Sequence, residues 1–240
     1  MKIKCFFFFV FISFLANCQE NFTSARIEYE MIFLTESYNS TLIYNNDKAE
    51  FSYFNDEISE TKTDDNGNIN ITVADTIPHR VLTDNLTKKL HHYTCIYSVK
   101  KHDWIEEVLP SFNWVLIEES KKIGNLECYK ATCSFRGRNY IAWYSTEIKT
   151  FFGPWKFSGL PGLILEIHDS ENKVSFFAKK ISIPFKDQIK LFPVNTIAFE
   201  KVKEIQKAET DQLIKNIESK QERGFKVKIK VNTKEQIEKD

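Results

Sequence analysis

Between residues 26 and 183 apolar side chains recur at every second position far more often than at every third or fourth. That is the period of strands with one buried face. Arg26–Leu34 shows it best: Ile27, Tyr29, Met31 and Phe33 share one face, with Glu28 and Glu30 on the other. Thr41–Tyr44, Glu50–Phe54 and Ile69–Val73 continue the β pattern. Between the last two, Asn55–Asn68 is polar and ends in Asp-Asn-Gly-Asn, the chemistry of a loop or wide hairpin tip. Leu86–His91 fits a helical turn, and Tyr93–Val99 reads as strand from its aromatic and β-branched content. Asn113–Glu118 is a further short strand. Leu126–Phe135 and Asn139–Ser145 flank Arg136-Gly137-Arg138, a tight hairpin with a glycine free to take positive φ. Leu163–Ile167 and Lys173–Ile183 flank a second hairpin tip at His168–Asn172.

The period changes after Pro193. Ile197–Arg223 has no Gly or Pro, carries an imperfect apolar stripe (Val202, Ile205, Ala208, Ile214, Ile217), and meets a stop residue at Gly224. Phe225–Val231 could add a last strand before a charged tail. Many strands in hairpin order with one late helix predict a mainly β fold: a strongly curved, half-barrel-like antiparallel sheet with a long C-terminal helix packed along it. No repeat or linker divides residues 19–240, which are read as one domain.

The first eighteen residues follow different rules. Lys2 and Lys4 precede an apolar run, Cys5–Leu15, broken only by Ser13, and Ala16-Asn17-Cys18 follows. The run is too short to span a bilayer and has the form of a secretory signal peptide cut after Cys18. The same residues admit a lipoprotein signal with a lipid anchor on Cys18. No later stretch of sequence is apolar enough for a transmembrane span. The 33 basic residues balance the 33 acidic ones, which argues against nucleic acid as a partner.

Candidate chemistry is sparse. Cys95, Cys128 and Cys133 leave room for one disulfide in an oxidising compartment, with Cys95 paired to either of the others, or for three buried thiols. Cys128 and Cys133 lie on one strand at odd spacing and so face opposite ways. His91 and His92 are neighbours on a strand and cannot easily chelate one metal, and His102 completes no zinc spacing. His168 is placed at a hairpin tip. Neither a Gly-x-Ser-x-Gly elbow nor a phosphate loop is present. No cofactor or metal is expected. Trp104, Trp114, Trp143 and Trp155 are candidates for a pocket wall or for core.

Turn chemistry concentrates in residues 153–167, Gly-Pro-Trp-Lys-Phe-Ser-Gly-Leu-Pro-Gly-Leu-Ile-Leu-Glu-Ile, which hold three of the seven glycines and two of the six prolines in an apolar setting. Pro161-Gly162 suits the centre of a type II turn, with positive φ at Gly162. Two roles fit the stretch. It is an apolar plug that closes the sheet, or it is a binding wall built from Trp155, Phe157, Gly159, Leu160, Pro161 and Gly162.

Gly159-Leu160-Pro161-Gly162-Leu163-Ile164 resembles the signature of the GLPGLI family of exported Bacteroidetes proteins. The likeness extends to Gly153–Phe157, to Leu165–Ile167, and upstream to Cys128–Thr132, Phe135–Arg138 and Ala142–Tyr144. The resemblance implies a bacterial periplasmic, outer-membrane-associated or secreted setting. In that setting the Asn-x-Ser/Thr triplets at Asn21, Asn39, Asn70 and Asn85 carry no glycan. It implies no activity, because the family has none established. With 14% aromatic residues and no catalytic constellation, the leading expectation is a non-catalytic envelope or secreted protein that binds an apolar ligand or a partner protein. Two alternatives stand beside it: an accessory or assembly factor of an outer-membrane system, and a hydrolase with an unrecognised site.

Overall fold

A computed structural model describes residues 24–54, 60–63, 69–72, 78–96, 101–186, 189, 192–193 and 195–219. The expected signal segment at 1–18, the strand at 225–231 and the last turn of the expected helix lie outside the described residues.

The described chain runs β1 (Ala25–Phe33), β2 (Glu36–Tyr44), β3 (Lys48–Phe54), β4 (Glu60–Thr63), β5 (Ile69–Thr72), β6 (His79–Asp84), β7 (Lys89–Ile96), β8 (Lys101–Val108), β9 (Val115–Ile123), β10 (Leu126–Phe135), β11 (Arg138–Ser145), β12 (Leu163–Asp169), β13 (Val174–Ser182), β14 (Ile197–Ala198) and α1 (Phe199–Ser219). Twelve strands form one sheet in the order β14-β8-β7-β6-β3-β2-β1-β13-β12-β11-β10-β9, while β4 and β5 pair separately as a small hairpin. Only the short β14–β8 pair is parallel.

Local chemistry explains most of these elements. Residues 25, 27, 29 and 31 of β1 are buried and the intervening ones less so, as its alternation requires. Arg136 and Gly137 both take positive φ, 44° and 72°, which fits the two-residue connection between the paired residues Phe135 and Arg138. β12 departs from strict alternation. Trp143 pairs with Glu166 but Tyr144 with Ile164, so Leu165 is an extra residue. The resulting bulge lets Leu163, Ile164 and Leu165 all be buried. In β6 four successive residues, Val81–Asp84, are buried, and Phe192 helps cover the outer side of that region through the His91 ring and the Lys48 ammonium.

The sheet rolls without closing. β8 is second from one edge, yet Glu107 on β8 forms an ion pair with Arg136 in the β10–β11 turn near the opposite edge. The connection 109–114 passes directly from β8 to the edge strand β9. Its Phe112 ring lies 4.7 Å from Phe135 and 5.5 Å from Phe157. The hollow of the roll is filled by the chain itself. Phe152, Trp155, Phe157 and Leu160, all from the loop between β11 and β12, are buried. Phe152 meets Tyr44 of β2, and Phe157 meets Tyr140 of β11 and Phe176 of β13. Each ring so buried contributes about 1.5–3 kcal/mol.

The expected long helix packed along the sheet is not found. α1 starts two residues later than expected and, among the described residues, packs chiefly on β14 and β8. Val202 is buried and Ile205 half-buried, but Lys207 and Ala208 are exposed. The imperfect apolar stripe gives the helix little with which to hold to the sheet at Ala208.

Candidate functional site

The loop of residues 146–162 is ordered by its own backbone. Phe152 and Ser158 form an antiparallel bridge, the Gly159 N–H donates to Phe151 O at 2.8 Å, and the Gly153 N–H to Phe157 O at 2.9 Å. A tight turn runs from Pro154 to Phe157, whose N–H donates back to Pro154 O at 3.1 Å. Within it Trp155 has a φ of 53°, an uncommon angle for a bulky residue. The expected positive φ at Gly162 is not observed. The positive angle falls on Gly159, at 92°. Gly162 is needed for proximity instead: a Cβ there would lie 2.0 Å from Ser145 O, with the backbone of Thr146 also within contact.

Of the expected wall residues, Trp155, Phe157, Leu160 and Gly162 are buried, and only Gly159 and Pro161 reach the surface. The loop therefore turns its rings toward the sheet. Two of the four tryptophans belong to this cluster. Trp155 sits on Phe135 and Phe157, and Trp114 donates its indole N–H to Ser158 O at 2.8 Å. Trp143 lies under Lys121 and Lys130, and Trp104 beside Tyr93 and Arg80.

One charged group is carried inward with the rings. Lys156, between Trp155 and Phe157, is only 2% exposed. Its ammonium pairs with the carboxylate of Glu107, which also takes the guanidinium of Arg136. Phe199, the first residue of α1, closes the group: its ring lies 4.6 Å from the Arg136 guanidinium and 5.5 Å from the Lys156 ammonium. His92 on β7 stands 6.1 Å from the same ring. Burial first, then the charges of Lys156, Arg136 and His91, hold its imidazole well below the usual histidine range. β7, β8, the β10–β11 turn, the loop and α1 thus converge on one buried ionic cluster. Of these charged residues, Arg136 was singled out only as part of a hairpin turn, and Glu107 and Lys156 by no pattern. The available signals were a lone lysine inside an aromatic run, and an arginine in a chain that uses arginine at only five positions.

Other buried charges also join elements. Arg138 at the start of β11 pairs with Asp169 at the end of β12 at 2.6 Å, both side chains about 1% exposed. Asp169 accepts two backbone N–H groups as well, from Lys173 at 2.7 Å and Val174 at 3.1 Å. Arg80 of β6 pairs with Glu50 of β3 at 2.7 Å. His91 and His92 face opposite sides of β7, as the strand reading requires. His91 Nε2 lies 2.9 Å from Glu106 on the outer side. His168 is half-buried, with Nδ1 3.1 Å from Asp169 O. Among the described residues no group of three or more His, Cys, Asp or Glu could hold a metal ion. Cys128 and Cys133 are buried free thiols, so neither is bridged to Cys95. Their register partners, Lys121 on β9 and Tyr140 on β11, lie on opposite faces.

Fold and cluster together define a class: an open, rolled β-sheet that carries its own interior filling and ties its two ends by buried ion pairs. A family described as a protein of unknown function (Porph_ging) matches residues 136–166. That span includes the Arg136 turn, Lys156 and the Gly159–Ile164 signature. No curated protein matches the chain. Among solved structures, PNGF-II in a P21 crystal form aligns with a TM-score of 0.54 at 14% identity, over 78% of this chain and 34% of that one. A second structure of PNGF-II, in a C2 form, aligns with a TM-score of 0.49 at 15% identity over 78% and 33%. The chain therefore spans about a third of the length of PNGF-II, and the likeness is one of fold. No helix among the described residues is long and apolar enough to cross a membrane.

Proposed function

We propose that this is a non-catalytic protein of the GLPGLI type, exported to the cell envelope or beyond, and that it binds a partner protein. The observation that carries the reading is the filled hollow. The inner face of the sheet, where an apolar ligand would sit, is occupied by Phe152, Trp155, Phe157 and Leu160 of the same chain. A groove of about 510 Å³ lies instead on the outer face, lined by residues such as Arg26, Glu28, Glu30 and Lys179 that already pair with one another. The buried charges at Glu107, Arg138 and Asp169 link strands and turns, which is a structural use of charge.

Exposed apolar side chains favour a protein partner over a small molecule. Val108, Val115 and Leu116 are 78%, 58% and 60% exposed, and they flank the 109–114 connection from β8 to β9. Val115 and Leu116 also begin the edge strand β9. Farther along, Glu118, Glu119, Lys121 and Lys122 and a register shift blunt that edge.

Native mass spectrometry of protein purified from its own envelope tests the reading. The expected result is one consistent protein partner in fixed stoichiometry. Recovery with a tightly held apolar molecule, or of the protein alone, overturns it. A Val115→Asp, Leu116→Asp variant is expected to lose the partner while keeping its thermal melt.

A further inference from the structure

β9 is the last strand in the sheet order, so among the described residues one of its two edges is unpaired. Six of its nine residues are exposed. Such an edge offers a row of backbone N–H and C=O groups to another strand. We propose that the strand it takes is β9 of a second copy of this chain, paired antiparallel about a two-fold axis through Ser120. Self-pairing is one form of the partner binding proposed above, and it rests on that reading.

The order of charges selects this partner. Residues 117–123 read Ile-Glu-Glu-Ser-Lys-Lys-Ile, symmetric in polarity and opposite in charge on the two sides of Ser120. Paired antiparallel on that centre, Glu118 faces Lys122 of the second copy, Glu119 faces Lys121, and Ile117 faces Ile123. The two-fold axis repeats every one of these pairs. Opposite charges across a strand pair stabilise it and like charges weaken it. A slide of two residues, the smallest that keeps the same faces together, sets Glu119 against itself or Lys121 against itself. Leu116, 60% exposed, falls opposite Gly124 of the second copy, where a Cβ would meet nothing within 4 Å. The charges that blunt this edge toward other strands therefore match in one arrangement, with a strand of the same sequence.

The faces agree as well. The register shift between β9 and β10 inserts two residues of β9, Glu118 and Glu119, between the paired Ile117 and Ser120. Two is an even number, so the alternation of β9 runs through the shift. Glu119 and Lys121 share one face, where Glu119 holds Lys130 at 2.8 Å and Lys121 pairs with Glu166. Glu118, Ser120 and Lys122 share the other. Glu118 and Lys122 are exposed and make no ion pair among the described residues, which leaves them to answer a second copy. Antiparallel pairing about Ser120 sets like face beside like face, so the two rolled sheets continue into one another.

Sedimentation equilibrium of the purified full chain tests this, at loadings from about 1 to about 500 µM. One strand pairing is a small interface, so the wild type is expected to pass from monomer to dimer within that range and to dissociate as salt is added. Glu118→Lys sets lysine against lysine twice in each dimer, and Lys122→Glu sets glutamate against glutamate. Each alone is expected to weaken the dimer about tenfold or more. Mixed in equal amounts, the two variants are expected to pair with each other, and the double variant Glu118→Lys, Lys122→Glu to dimerise like the wild type. An unchanged thermal melt shows that each variant is folded. A wild type that stays monomeric, single variants that dimerise as tightly as the wild type, or a mixture that stays monomeric overturns the self-pairing. If the wild type is monomeric while envelope-purified protein carries a foreign partner, self-pairing falls and the partner reading stands. If both are solitary, both fall.

Discussion

The phenol of Tyr29 donates a 2.7 Å hydrogen bond to the backbone carbonyl of Ile164, 135 positions later in the chain. Tyr29 is on β1 and Ile164 on β12, with β13 between them in the sheet. The bond therefore crosses the inner face over an intervening strand. It is available because the bulge at Leu165 takes Ile164 out of regular register with β11. Tyr29→Phe removes the donor and leaves a buried carbonyl unpaired. The expected cost is about 1–3 kcal/mol, measured as a lower urea midpoint with an unchanged m-value.

Two glycines of the same loop should respond very differently to alanine. At Gly162 the added Cβ would overlap Ser145 O, a backbone atom that cannot rotate away. Gly162→Ala is expected to cost more than about 4 kcal/mol, in the range of severe core lesions. At Gly159 the nearest atom to an added Cβ is Nε1 of Trp114, at 3.8 Å, and only the positive φ is strained. Gly159→Ala is expected to cost about 1–3 kcal/mol. Thermal denaturation of both variants checks the order. Equal effects would show that the approach to Ser145 is not limiting.

The Arg138–Asp169 pair offers a test of buried charge. Arg138→Met leaves the Asp169 carboxyl group enclosed without its guanidinium, still holding the Lys173 and Val174 amides. The expected loss is about 3–5 kcal/mol. Guanidinium titrations of the variant and the wild type at pH 7 read the difference.

The two thiols should be inert while the protein is folded. Burial raises Cys128 to about 11 and Cys133 to about 12. Since the thiolate is the reacting form, the folded protein at pH 8 is expected to take up maleimide at neither position within minutes, and both should label at once in denaturant. Peptide mass spectrometry assigns the sites. Rapid labelling of Cys133 in the native protein would count against its burial beside Tyr140.

What could be read from the linear chain was what depends on neighbours. β1 was legible because Ile27, Tyr29 and Met31 alternate with charges. The hairpin at Arg136-Gly137 was legible because that turn demands positive φ. The concentration of Gly and Pro at 153–162 correctly marked an unusual backbone, yet it misplaced the reason for Gly162, whose constraint is a strand end 17 residues earlier. β8 escaped notice because Glu107 occupies an inward position where alternation calls for an apolar residue. Its partners Arg136 and Lys156 come from other elements, so no spacing announces them. The helix was legible by composition, but not the placement of Phe199 against Arg136 and Lys156, which come from other elements.

The loop that fills the roll has a consequence for how the molecule is made. β1 finds its sheet neighbours at residues 36–44 and 174–182, and the rings that cover its inner face come from residues 151–157. A ribosome that has released 145 residues has delivered nine of the twelve strands of the sheet, β1–β3 and β6–β11, with their apolar inner faces still bare. Completion waits on the next forty residues. Such late, distant contacts slow folding, because β1 meets one of its two neighbours only after residues 174–182 have been made.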